Sequence, residues 1–91
     1  MIDKTGRKIH LSEERWTHIT IKRPYMSSYF VEIEETTKNP QKIVPRDVGN
    51  LFDFYSYYKH RKGKLKFLKV VVKYLNGEWF ILSAYFVTDI N

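Results

Sequence analysis

The chain has 91 residues, with 16 Lys and Arg against 10 Asp and Glu, three His, no Cys and a formal charge of +6. A chain this short holds one core and buries only about 60–65% of its unfolded surface, which excludes a two-domain enzyme and a large enclosed cofactor site. A composition 43% hydrophobic and 16% aromatic is too rich in core formers for a disordered basic tail, so residues 1–91 are read as one folded domain. Without cysteine there is no disulfide, thiol nucleophile or thiolate zinc site, and a reducing cytoplasm is the expected setting. No apolar run reaches membrane-helix length and Met1 to Lys8 lacks the apolar stretch of a signal peptide, so no membrane partner is expected.

In chain order, the first expected element is a helix beginning after Leu11-Ser12. Ser12 can accept from a free amide of the first turn, Glu13 and Glu14 sit at the positive end, and Leu11 and Trp16 have the spacing of a hydrophobic staple, which assigns Trp16 to the core. This helix should end near Arg23-Pro24. A second is predicted from Tyr25 to Lys38, with Met26, Tyr29, Phe30, Ile33 and Thr37 on one face and Glu32, Glu35 and Lys38 facing away. Asn39-Pro40 stops it, because proline disfavours the helical region for the residue before it.

After Pro40 the hydrophobic period changes to two. Strands are expected around Gln41 to Val44 and over Leu51 to His60, Leu65 to Tyr74 and Glu78 to Thr88, with Lys62-Gly63 and Asn76-Gly77 as turns. The fold class is therefore α+β: two N-terminal helices on one face of an antiparallel sheet of about four strands.

Two registers compete for the last hairpin. A two-residue loop sets Leu68, Val70, Val72 and Tyr74 beside Trp79, Ile81, Ser83 and Tyr85, which buries two hydroxyls. A three-residue loop sets the same four beside Phe80, Leu82, Ala84 and Phe86, an unbroken apolar surface that needs no buried ammonium group. The second is chosen, leaving Lys69, Val71, Lys73, Trp79, Ile81, Ser83 and Tyr85 on an open face with Ser83 opposite Lys69.

Seven basic residues fall between Lys59 and Lys73, namely Lys59, Arg61, Lys62, Lys64, Lys66, Lys69 and Lys73, with no acid among them. Five of the ten acids lie on the expected helices, so positive potential should gather on the sheet side and its loop. That pattern points to a polyanion, with Tyr55 and Tyr57 as the exposed half of an aromatic run able to stack on unpaired bases. The competing explanation is solubility, with the lysines guarding a sheet edge and the tyrosines filling a core rim. The sequence contains no metal-ligand spacing, Walker loop, dinucleotide fingerprint or nucleophile elbow, so neither metal nor cofactor is expected. What remains is histidine, cations and hydroxyls, a kit that suits cleavage of RNA because the 2′-hydroxyl of RNA is the nucleophile.

Arg15-Trp16-Thr17-His18-Ile19, the loop ending in Pro24, Asn39-Pro40, Tyr57-Tyr58-Lys59, Leu68-Lys69-Val70-Val71-Val72 and Leu82-Ser83-Ala84-Tyr85 together resemble the nuclease-like group that links barnase, EndoU, colicin-type tRNases and RelE toxins. The resemblance is to its small phage-associated and uncharacterised branches and covers about residues 9 to 88. It implies a two-helix, antiparallel-sheet fold and metal-independent endoribonuclease or toxin-like activity. It carries the helix histidine to His18, its arginine partner to Arg15, and the hydroxyl-Ala-Tyr element to Ser83 and Tyr85. Arg23 stands where related sequences have histidine, which removes one acid/base group and adds a cation.

The expected catalytic set is thus His18, Arg15, Ser83, Tyr85 and Arg61, with Lys59, Lys62, Lys64, Lys69, Lys73, Tyr55, Tyr57 and Arg23 binding nucleic acid. His18 and Tyr85 have a plain alternative as rim residues, and Ser83 as a serine tolerated in a central strand. The expected partner is RNA, either tRNA or mRNA, and an acidic antitoxin-like protein is a further candidate. Two other readings stay open: a nucleic-acid binder that does not cut, and an interaction module for an acidic protein.

Overall fold

Ser12 caps the first helix, its hydroxyl accepting from the Arg15 amide at 3.1 Å, and the helix α1 runs over Glu13–Lys22. Leu11 and Trp16 both pack on the core, as the staple spacing requires. The computed structural model describes residues 8–47 and 49–90, so the reading of the N-terminal residues as free of a leader falls mostly outside the described part. The predicted second helix is broken in two. Pro24 opens a 3-10 turn over Pro24–Ser28, Tyr29 leaves helical geometry, and α2 spans Phe30–Lys38. Ser27 and Ser28 are weak helix formers, so the turn is not continued. Met26 and Ile33 still reach the core, but Phe30 turns outward and is 44% exposed, resting edge-on against Trp16.

The sheet has five strands rather than four, ordered β1-β5-β4-β3-β2. They are β1 (Ile9–His10), β2 (Lys42–Pro45), β3 (Leu51–Tyr57), β4 (Phe67–Leu75) and β5 (Glu78–Val87). The strand missed in the sequence is β1. Its two residues pair in parallel with Trp79 and Phe80, which makes the sheet mixed, and a two-residue pairing leaves no periodicity to read. Among the described residues, no helix is long and apolar enough to cross a membrane.

The hairpin register follows the two-residue alternative next to the turn, and beyond it the faces are those of the chosen alternative, with Val70 beside Ala84 and Leu68 beside Phe86. Leu75 pairs with Glu78 around a two-residue turn in which Asn76 and Gly77 both have positive φ, 53° and 81°, as a turn matching strand twist demands. Between Val71 and Val72 the register shifts by one, leaving Leu82 as an extra residue on β5. Above this bulge Trp79 and Ile81 face the helices; below it Ala84 and Phe86 do, while Ser83 and Tyr85 face the far side. Ser83 lies opposite Val71, and Tyr85 takes the place opposite Lys69 that was expected of Ser83. The helices cover one face, with Ile9, Ile19, Met26, Ile33, Phe54, Leu68, Val70, Val72, Ile81, Ala84 and Phe86 between the layers.

The two faces of α2 give a direct check. Ile33→Ala should cost about 2–5 kcal/mol by urea unfolding because it empties a fully buried site, whereas Val31→Ala, at a position 61% exposed, should change stability by less than about 0.5 kcal/mol.

Candidate nucleic-acid interface

The sheet face away from the helices is built by alternation. Asp53 and Tyr55 on β3, Lys69, Val71 and Lys73 on β4, and Ser83 and Tyr85 on β5 share it through the pairs Asp53–Val71, Tyr55–Lys69, Lys69–Tyr85 and Val71–Ser83. Asp53 is 5% exposed. Its carboxylate accepts from Arg46 Nε, 3.0 Å from each oxygen, and from Nη2 at 2.9 Å, while Lys69 Nζ stands 3.8 Å away. The bond to Asp53 holds the Arg46 guanidinium above its usual pKa. The Lys69 side chain is partly buried at 19% exposure, and Asp53 is the opposite charge beside it.

Lys69 also lies over the Tyr85 ring, with Nζ 5.5 Å from the centroid, and Arg23 lies over the same ring at 4.4 Å. Cations are drawn to the negative face of an aromatic ring. Arg23 caps the C-terminus of α1 and reaches Tyr85 past the outer edge of β5, where β1 pairs with Trp79 and Phe80 and goes no further. Tyr55 lies beneath Lys69 and is 1% exposed, so it is not free to stack on a base as expected; burial raises its phenol pKa while the Lys69 charge acts the other way. Tyr57, 43% exposed beside Phe67, remains available.

The loop between β3 and β4 carries the basic run. Arg61 turns inward: its guanidinium lies 4.0 Å from the Phe86 ring centroid and 5.4 and 5.5 Å from those of Tyr25 and Tyr29, and Nη1 donates to the Leu65 carbonyl at 2.7 Å. Lys66 Nζ donates to the carbonyls of Lys59 and Arg61. These contacts tie the loop down from inside and leave Lys59, His60, Lys62 and Lys64 exposed on its rim. Below the rim a cleft of about 400 Å³ is lined by Tyr29, Glu32, Tyr57, Tyr58, Lys59 and His60. Tyr58 donates to Glu35 at 3.0 Å, and its pKa is pushed up to about 12, first by burial and further by the acids facing it.

Of the residues singled out in the sequence, the structure therefore gathers Arg23, Lys69 and Tyr85, with Ser83 two residues along the same strand face. Arg15 and Lys73 lie elsewhere, both lining a groove beside β1. Arg61 sits within the fold, and Lys59, Lys62 and Lys64 line the loop. His18 is exposed on α1 and, among the described residues, makes no hydrogen bond or ring contact with Ser83 or Tyr85. Asp53 and Arg46 were missed; the signal was Asp53 itself, the one acid inside the aromatic run Leu51 to Tyr58. Among the described residues no three His, Asp or Glu side chains converge as metal ligands. Comparison of the chain with protein-family models, curated proteins and solved structures returns no match.

Two outcomes test this electrostatic frame. Asp53→Ala should lower stability by about 3 kcal/mol in urea unfolding at neutral pH, the low end for a broken buried pair because the Arg46 side chain is 33% exposed. Stability should fall as pH rises from about 10 to about 12, since across that window the folded chain holds a Tyr58 proton that the unfolded chain releases; Tyr58→Phe should remove that part of the alkaline slope.

Proposed function

We propose that this chain is a metal-independent endoribonuclease of toxin type, acting in the cytoplasm on a barnase- and RelE-like fold. The observation that supports it is the convergence of Arg23 and Lys69 on Tyr85, with Ser83 on the same strand face. Two cations and two hydroxyls suit a phosphodiester whose negative charge grows as the reaction proceeds. A base takes the 2′-proton, the freed oxygen attacks the adjacent phosphorus, and the 5′-oxygen leaves with a proton from an acid, so the products are a 2′,3′-cyclic phosphate and a 5′-hydroxyl. His18 is the residue that the resemblance offers for proton transfer. It precedes Arg23 by five residues, about 7.5 Å along the helix axis and more than a third of a turn around it, so the nuclease reading requires the bound RNA to bring the reacting ribose to His18. Lys59, Lys62, Lys64 and Tyr57 then hold the flanking strand by charge and stacking.

The exposed position of His18 on α1, with Arg23 in place of a histidine, favours one second reading: the same surface binds RNA without cutting it. Incubation of the purified protein with total RNA in EDTA separates the two. The nuclease reading expects cyclic-phosphate ends and a rate lowered at least about 100-fold by His18→Ala and by Tyr85→Phe. RNA that stays intact at high protein concentration, while binding weakens steeply with salt, would overturn it and leave the binder.

A further inference from the structure

Beside β1 lies a groove of about 630 Å³ that the proposed reaction leaves unused. Its floor and walls are apolar, from Ile9, Leu11, Leu75, Phe80, Ile81 and the bulge residue Leu82. His10 stacks on Phe80, with centroids 5.1 Å apart and planes at 28°, and its Nε2 lies 3.2 Å from Glu78, which fixes the imidazole plane. Arg15 and Lys73 line the same groove, and neither has an acidic partner among the described residues. The acids nearby are Glu78, held by His10, and Glu13 and Glu14 in the first turn of α1. A volume in the range of small-ligand sites, a flat ring platform and two free cations define a ligand with a planar ring and a phosphate.

We infer that this groove is a nucleotide subsite, the base stacking at His10 and Phe80 and the phosphate held by Arg15 and Lys73. Its placement says how it relates to the Tyr85 cluster. Each of the two places takes one cation from β4, Lys73 here and Lys69 there, four residues or about 13 Å apart along the strand. Each takes a second from α1, Arg15 here and Arg23 there, eight residues or about 12 Å apart along the helix. Phosphates advance by about 3.4 Å per nucleotide in a helical strand and by more in an extended one, so the two places stand about two to four nucleotides apart. The base and phosphate thus come either from an RNA strand that continues from Tyr85 or from a free nucleotide; the first source rests on the RNA reading above, the second does not.

The test titrates 5′-AMP into isotope-labelled protein, with adenosine and inorganic phosphate in parallel, followed by NMR. AMP should shift the signals of His10, Phe80 and Leu82 and bind more tightly than either half-ligand, and Arg15→Ala and Lys73→Ala should each weaken it about tenfold while the rest of the spectrum stays in place. Unlabelled RNA oligomers of two to six nucleotides distinguish the sources: a gain in affinity near four nucleotides that is lost in the Arg15→Ala/Lys73→Ala double variant marks a continuing strand, and AMP binding without that gain marks a free nucleotide. AMP binding in a protein that never cuts RNA leaves the subsite standing and removes only the nuclease. No shift at the groove up to about 10 mM AMP, or equal shifts from phosphate confined to the Lys59 to Lys64 loop, would overturn the subsite even where RNA is cleaved.

Discussion

One extra residue in β5 reconciles two demands that a regular strand cannot meet together. The Asn76-Gly77 turn sets a two-residue loop, and in that register Trp79 and Ile81 face the helices. Continued without a break, it would also bury Ser83 and Tyr85 and expose Ala84 and Phe86. Side chains alternate with period two, so only an inserted residue can exchange the faces midway, and Leu82 is that residue. The core, the far face and the groove wall all follow from it.

With Tyr85 turned to the far face, charge determines the rest of that surface. Lys69 is partly withdrawn from water and would be costly there without a partner. Asp53 supplies one, itself held by Arg46, so a run of charges extends from the start of the β2–β3 turn to the Tyr85 ring. Arg23 completes the run from the other layer of the fold. The cations are consequently positioned by the fold itself, and this preorganisation is what the proposed phosphate site relies on.

Much of the local structure was legible because it rests on short-range chemistry. The Ser12 cap, the stop at Arg23-Pro24, the Asn76-Gly77 turn and the inward positions of Ile33, Leu68 and Val70 depend on neighbours a few residues away or on simple periodicity. The bulge left no such trace, since Phe80, Leu82, Ala84 and Phe86 are apolar at an unbroken period of two and the exchange of faces at Leu82 appears only in the strand pairing. The candidate site was legible as a set of residue types but not as an arrangement. Nothing in the order of residues shows that Arg61 enters a box of Tyr25, Tyr29 and Phe86, whose members lie up to 36 positions away.

The sequence by itself determined a small, basic, cysteine-free chain with two helical segments before a run of strands, and it located the positive charge between Lys59 and Lys73. Composition and local periodicity suffice for that. Tertiary structure decided where those cations lie: Lys69 with Arg23 at the Tyr85 ring, Lys73 on the groove that Arg15 also lines, and Arg61 at neither. The physical reason is register. A shift of one residue changes the face of every side chain beyond it, and where that shift falls depends on packing against the helices as well as on the strand.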